Sequence, residues 1–114
     1  VNLQDLIIMT QSFKQVLNVL PDIEHIDKIN LYDQNDNLVD VIENMPGTQG
    51  SLKVYFYLNK NFKEINLAAA QKGLELFSEH TAEAKKNPGI HLNIDRLINI
   101  VKKNDTLRVE TILR

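Results

Sequence analysis

The sequence predicts an α+β fold, an antiparallel sheet of three or four strands with three or four helices packed on one face. Three observations predict it. Residues 28–33 and 38–43 read as two short strands around a four-residue polar turn. Residues 106–113 alternate apolar and polar near the carboxyl end. Between and before these segments, apolar side chains recur at helical spacing. A chain of 114 residues is long enough for one domain with a single two-layer core.

The first helix spans about 13–20. Ser12 and Gln15 have capping-box spacing, so each side chain can satisfy a free backbone donor of the first turn. Phe13, Val16, Leu17 and Leu20 share a face. Pro21 stops the helix, because the residue before proline is pushed out of helical geometry. Leu3, Leu6 and Thr10 keep the phase of Phe13, so an earlier start is also compatible with the pattern.

The hairpin comes next. Ile29 and Leu31 share one face of the first strand, and residues 38–43 are apolar and β-branched. Gln34, Asn35, Asp36 and Asn37 between them tolerate left-handed turn geometry. Residues 45–51 (MPGTQGS) are a loop. Residues 52–62 support two readings. Leu52, Val54, Phe56 and Leu58 alternate as a strand would, giving a three-stranded meander. Leu52, Tyr55, Phe56 and Phe62 lie along one helical side that Ser51 would cap, and the helix is preferred.

One long helix is expected from the Asn66 cap to Lys85 and Lys86, ended by Pro88-Gly89. Leu67, Ala70, Leu74, Phe77, Thr81 and Ala84 form its apolar stripe. Gly73 lies at the edge of that stripe. A mid-helix glycine costs about 1 kcal/mol against alanine, so another element is expected to approach closely there. The following helix starts at Asn93, with Leu92 and Leu97 at staple spacing and Asp95 in the first turn, where the helix dipole favours an anion. Ile94, Leu97, Ile98 and Val101 are its core stripe, and Asn104-Asp105 ends it. Residues 106–113 form the last strand and pair with the hairpin.

Composition excludes several function classes. Lys and Arg number 13 against 15 Asp and Glu, and the only arginines are Arg96, Arg108 and Arg114. A nucleic-acid binder draws much of its affinity from a basic face, and none is expected here. Lys85-Lys86 and Lys102-Lys103 read as cations complementing helix C-termini. Tyr32, Tyr55, Phe56 and Tyr57 have no arginine beside them in the sequence and read as core and sheet packing rather than base-stacking platforms. There is no cysteine, hence no disulfide framework, thiolate metal site or Cys nucleophile. No apolar run approaches the roughly 20 residues that span a bilayer. The amino end, VNLQDLIIMTQ, lacks the features of a signal peptide, so a cytoplasmic location is expected. Met9 reads as a natural start, which makes residues 1–8 an extension ahead of it.

Polar groups fit for proton or anion chemistry are densest in residues 79–96 (EHTAEAKKNPGIHLNIDR). On a continuous helix His80 projects about 80° from the centre of the stripe, at the border of the buried face. Glu83, one turn on, is within reach of its ring. His91 precedes the next helix, where free N–H groups favour anions. If the two helices fold back on each other, the turn between them brings His91 to His80 and makes a pocket, with Asp95 and Arg96 close behind. The plain alternative is a hydrogen-bonded border histidine and one that only closes a turn. A second candidate is the loop Gly47, Thr48, Gly50 and Ser51, whose backbone could hold a phosphate or carboxylate. It matches neither a P-loop nor a dinucleotide fingerprint, and it also reads as a loop that merely turns the chain. No catalytic constellation, metal-ligand spacing or cofactor motif is present. His25 reads as a surface residue before the first strand.

Residues 12–17 (SFKQVL), 43–52 (ENMPGTQGSL) and above all 73–97 (GLELFSEHTAEAKKNPGIHLNIDRL) resemble a family of small, uncharacterised bacterial proteins, a domain of unknown function. The resemblance covers nearly all of the chain after Met9 and implies a bacterial protein. It supplies no catalytic residue. Two functions follow as expectations. The first is a non-enzymatic module that binds a protein partner or self-associates. The alternative is a small-molecule or anion binder centred on His80 and His91, with weak hydrolysis as its furthest extension.

Overall fold

A computed structural model describes residues 11–114. The start at Met9, the extension ahead of it and an earlier beginning of the first helix lie outside the described residues. Within them, five helices stand against one three-stranded antiparallel sheet. No helix among the described residues is long and apolar enough to cross a membrane.

The sheet comprises β1 (Ile26–Tyr32), β2 (Leu38–Glu43) and β3 (Arg108–Leu113), in the order β2-β1-β3. Asp33 shapes the hairpin turn. Its Oδ1 accepts the backbone N–H groups of Asn35 and Asn37 at 2.8 and 2.9 Å, and Asp36 takes the left-handed φ of 62°. These bonds, that from Asn37 foremost, hold the Asp33 carboxyl below its usual range. Ile29, Leu31 and Ile42 are buried on the helix-facing side. On the other side Glu110 accepts from the Asn30 amide (2.9 Å) and the Tyr32 hydroxyl (3.0 Å). The Arg108 guanidinium lies 4.3 Å from the Tyr32 ring centroid. Tyr32 packs in the sheet as expected, and an arginine that is distant in sequence reaches its ring. Strand register, which sets Tyr32 opposite Arg108, makes the pair.

Helix α1 (Phe13–Val19) carries the complete capping box of Ser12 and Gln15. Helix α2 (Gln49–Phe62) settles residues 52–62 as helical and removes the meander. Burial of Leu52, Val54, Tyr55 and Leu58 gives it a wide apolar face against β1 and β2. It begins earlier than expected. Gln49, Gly50 and Ser51 form its first turn, and Thr48, not Ser51, occupies the N-cap position.

The expected long helix is two. Asn66 caps α3 (Leu67–Leu76), its side chain accepting from Ala69 N–H at 2.9 Å. The chain then breaks at Ser78, which takes φ 56°, and resumes as α4 (Glu79–Lys86). Side chains at the break bond a carbonyl of the last turn of α3 and two backbone groups at the start of α1. Thr81 Oγ1 donates to Leu74 O at 2.5 Å, Ser78 Oγ donates to Gln11 O, and Glu79 Oε1 accepts from Phe13 N–H at 2.7 Å. The break is thus where the start of α1 docks, which accounts for the fifth helix.

Helix α5 (Leu92–Lys103) begins one residue before the expected Asn93, with His91 at the N-cap position. Leu92 is two-thirds exposed, so it makes no staple with the buried Leu97. Asn93 serves the core instead. Its carbonyl accepts from the buried Tyr55 hydroxyl at 2.5 Å, and its side chain accepts from Arg96 at 2.8 Å. Arg96 also reaches Tyr55 Oη (3.1 Å) and the Asp40 carboxylate on β2. Burial pushes the Tyr55 hydroxyl up to about 12.

A Cβ built on Gly73 of α3 would stand 2.7 Å from Leu97 Cδ1 of α5 and 2.8 Å from Leu58 Cδ1 of α2. The close approach expected at this glycine is present. Both leucines are fully buried, so neither has free space to retreat into. Gly73→Val should therefore cost about 2 kcal/mol or more through overpacking, read as a lower urea midpoint at unchanged m-value. A midpoint equal to wild type would contradict the close three-helix junction.

Candidate functional site

A cleft of about 530 Å³ opens where four helices begin or break. Phe13 and Leu17 of α1 form one wall. Gly47 and residues 49–51 line it from the start of α2. Phe77 and His80 flank the break between α3 and α4. Residues 90–94 complete it from the turn into α5. The two segments singled out in the sequence, the histidine turn and the glycine loop, thus border the same space.

His80 and Glu83 lie one turn apart on α4, the spacing at which helical side chains meet. His91 arrives over the turn at residues 87–91. Asp95 Oδ2 closes that turn by accepting from Gly89 N–H at 2.8 Å, and Gly89 takes the positive φ of 98° that the bend requires. The outcome is one carboxylate oxygen shared by two imidazoles. Glu83 Oε2 is 3.0 Å from His80 Nδ1 and 3.0 Å from His91 Nε2, and the ring centroids are 5.3 Å apart. An ionised carboxylate only accepts, so each ring presents its N–H there. His80 Nε2 and His91 Nδ1 are left for ligand or solvent. Both imidazoles are about one-third exposed and Glu83 about half. The bond from His80, then that from His91, holds the Glu83 carboxyl below its usual range. The His80 ring meets Phe13 edge-on at 5.2 Å, and Phe13 stacks on Phe77 at 5.3 Å.

The helix starts supply the electrostatics. Neither α2 nor α5 has a side-chain cap. The hydroxyl of Thr48, the N-cap residue of α2, donates to Glu43 O at 2.6 Å instead. Gln49 and Gly50 of α2 and Leu92 and Asn93 of α5 therefore line the cleft with first-turn N–H groups that no side chain caps, each at the positive end of a helix dipole, whereas Ile94 N–H is taken by His91 O. At α1 the same role is already filled by Glu79, whose carboxyl is held below its usual range chiefly by the Phe13 N–H.

Of the residues expected at the site, His80, Glu83 and His91 are brought together, and Gly47, Gly50 and Ser51 line the cleft with the two imidazoles. Thr48, Asp95 and Arg96 do not line it. Thr48 and Asp95 shape the adjoining turns, and Arg96 ties α5 to the sheet. The apolar walls at Phe13, Phe77, Ile90 and Leu92 were not expected there. Ile90 and Leu92, each 66% exposed, are the surface-apolar signal that marks such a rim. Ser51 is the hydroxyl of the lining, and the imidazole bonds go to Glu83 rather than to it. The arrangement suits binding and proton exchange more than nucleophilic attack.

Residues 13–111 match the family described as "Uncharacterized protein conserved in bacteria (DUF2322)", and the chain belongs to that family. No curated protein and no solved structure matches the chain.

Glu79 and Glu83 both have folded-state carboxyls below the ordinary value. Their contribution to stability is present above the unfolded carboxylate value of about 4.3 and is lost as pH falls through the folded values. Between about pH 5 and about pH 3 the denaturation midpoint should fall less steeply in the Glu79→Gln/Glu83→Gln variant than in wild type. Equal slopes in a pH series of chemical denaturation would contradict the bonding described.

Proposed function

We propose that this member of the DUF2322 family binds a small molecule carrying an anionic group beside an apolar portion. The observation that carries the reading is the convergence of two uncapped helix first turns and two imidazoles on one cleft. Backbone N–H groups at helix starts favour carboxylates and phosphates. His80 Nε2 and His91 Nδ1 add polar contacts whose donor or acceptor role follows the ring's protonation. Phe13, Leu17, Ile90 and Leu92 offer apolar surface for the rest of the ligand. The reading stops at binding. It assigns no catalytic residue and needs no nucleic acid, in keeping with the slightly negative net charge. A cytoplasmic setting accords with the absence of cysteine.

A second reading, a protein-binding or self-associating module, draws on β2. It is an edge strand, and Leu38 and Val39 on it are 54% and 47% exposed. A stable partner would cover roughly 800 Å² of this chain, and sedimentation over a concentration series would detect a homodimer of that size.

A thermal-shift panel of inorganic phosphate, nucleotides and mono- and dicarboxylates tests the first reading. A ligand at a hundred times its dissociation constant should stabilise the chain by about 2.7 kcal/mol. The shift should shrink in His80→Ala and in His91→Ala. A panel without response, or a response unchanged in both variants, would contradict the anion-binding reading.

A further inference from the structure

We propose that His80 Nδ1, Glu83 Oε2 and His91 Nε2 form a site for one divalent cation of the imidazole-preferring class, with Zn²⁺ the best fit. The inference goes beyond the anion-binding reading and does not rest on it. The sequence shows no metal motif, because the donors follow no recognised spacing. It is the turn over residues 87–91 that adds the third donor to the pair on α4.

The geometry is close to what a tetrahedral ion needs. Zinc binds histidine nitrogen at about 2.0–2.1 Å and carboxylate oxygen at about 2.0–2.2 Å, so adjacent donors stand roughly 3.3 Å apart. Both nitrogen–oxygen spacings here are 3.0 Å, and all three donor atoms lie within 4.8 Å of one another. The two nitrogens lie no more than 4.8 Å apart, and the His91 ring, about one-third exposed, has room to adjust to an ion. The carrier is already organised. His80 and Glu83 sit on one helix, His80 is braced by the edge contact with Phe13, and the bond of Asp95 to Gly89 fixes the turn.

The donor set selects the ion. Two imidazoles and one carboxylate suit Zn²⁺ and its transition-metal neighbours, whereas Mg²⁺ and Ca²⁺ take oxygen ligands. Proton balance is simple. In the neutral rings the proton now shared with Glu83 leaves His80 Nδ1 for Nε2 and leaves His91 Nε2 for Nδ1, so both liganding nitrogens present lone pairs and no net proton is released. Three protein donors leave a fourth tetrahedral position open, the arrangement of sites that keep water or a ligand on the ion. His80 and His91 both line the cleft, so that position adjoins it.

The test uses the full chain without an affinity tag, freed of metal by chelator and dialysis. Calorimetric titration with ZnCl₂ should give one equivalent bound with a dissociation constant below roughly 10 µM, and MgCl₂ should give none. His91→Ala and Glu83→Gln should each weaken zinc at least tenfold, while His25→Ala, remote from the site, leaves it unchanged. The ¹⁵N imidazole resonances should report ligation at His80 Nδ1 and His91 Nε2. Circular dichroism checks that the variants fold, and the ¹⁵N signature in wild type decides the matter should one fail to. Absence of zinc binding, or binding unaffected by His80→Ala/His91→Ala, overturns the proposal. Repeating the anion panel with chelator present separates the two readings. An anion shift without zinc binding overturns the metal site alone, and zinc binding without any anion response overturns the anion reading alone.

Discussion

At Gly73 three helices approach one another more closely than a side chain would permit. Leu58 of α2 and Leu97 of α5 both press on the bare α-carbon of α3, and the spacing of the whole helical layer follows. Leu97 lies in the second turn of α5, so this contact anchors the helix that His91 opens. Glycine weakens a helix interior through backbone entropy. Here the packing of two fully buried leucines offsets that loss.

The same economy appears at Gly50. A Cβ there would lie 3.0–3.1 Å from ring carbons of Phe13, so the first turn of α2 rests directly on the aromatic of α1. Phe13 in turn stacks on Phe77 and meets His80. One aromatic thus connects the glycine loop to the histidine turn. Around it the starts of α1, α2 and α5 gather, and two carboxylates bond donors there from within the protein. Glu79 takes the N–H of α1, and Glu83 takes both imidazoles. The first turn of α2 holds no acidic residue, and Asp95 in that of α5 bonds Gly89 N–H rather than capping the helix, so neither start has a side-chain cap at the cleft.

What could be read from the sequence is what depends on near neighbours. The capping box at Ser12, the cap at Asn66, the hairpin turn and the alternation of the last strand are all set by residues a few positions apart, and each appears in the fold. Residues 52–62 are ambiguous in sequence because Leu52, Val54, Phe56 and Leu58 satisfy a strand period while Leu52, Tyr55, Phe56 and Phe62 share a helical side. Burial against β1 and β2 made them helical. The break at Ser78 was not legible, because the apolar stripe keeps its phase through Phe77 and the cause is a distant segment docking on it. Arg96 is a similar case. Close behind His91 in sequence, it turns to Asp40, 56 residues away. The meeting of His80 and His91 could be anticipated from the short turn between two amphipathic helices. That the glycine loop would border the same cleft could not, since this depends on Gly50 packing on Phe13.

The central claim is that a helical turn folds back far enough to set two imidazoles on one carboxylate beside the α1 aromatic. Two-dimensional NOE spectra of the full chain at neutral pH test it most directly. The structure predicts cross-peaks between the ring protons of His80 and His91, and between those of His80 and Phe13. A His91 ring that shows cross-peaks only to its neighbours in sequence, with none to His80, would contradict it.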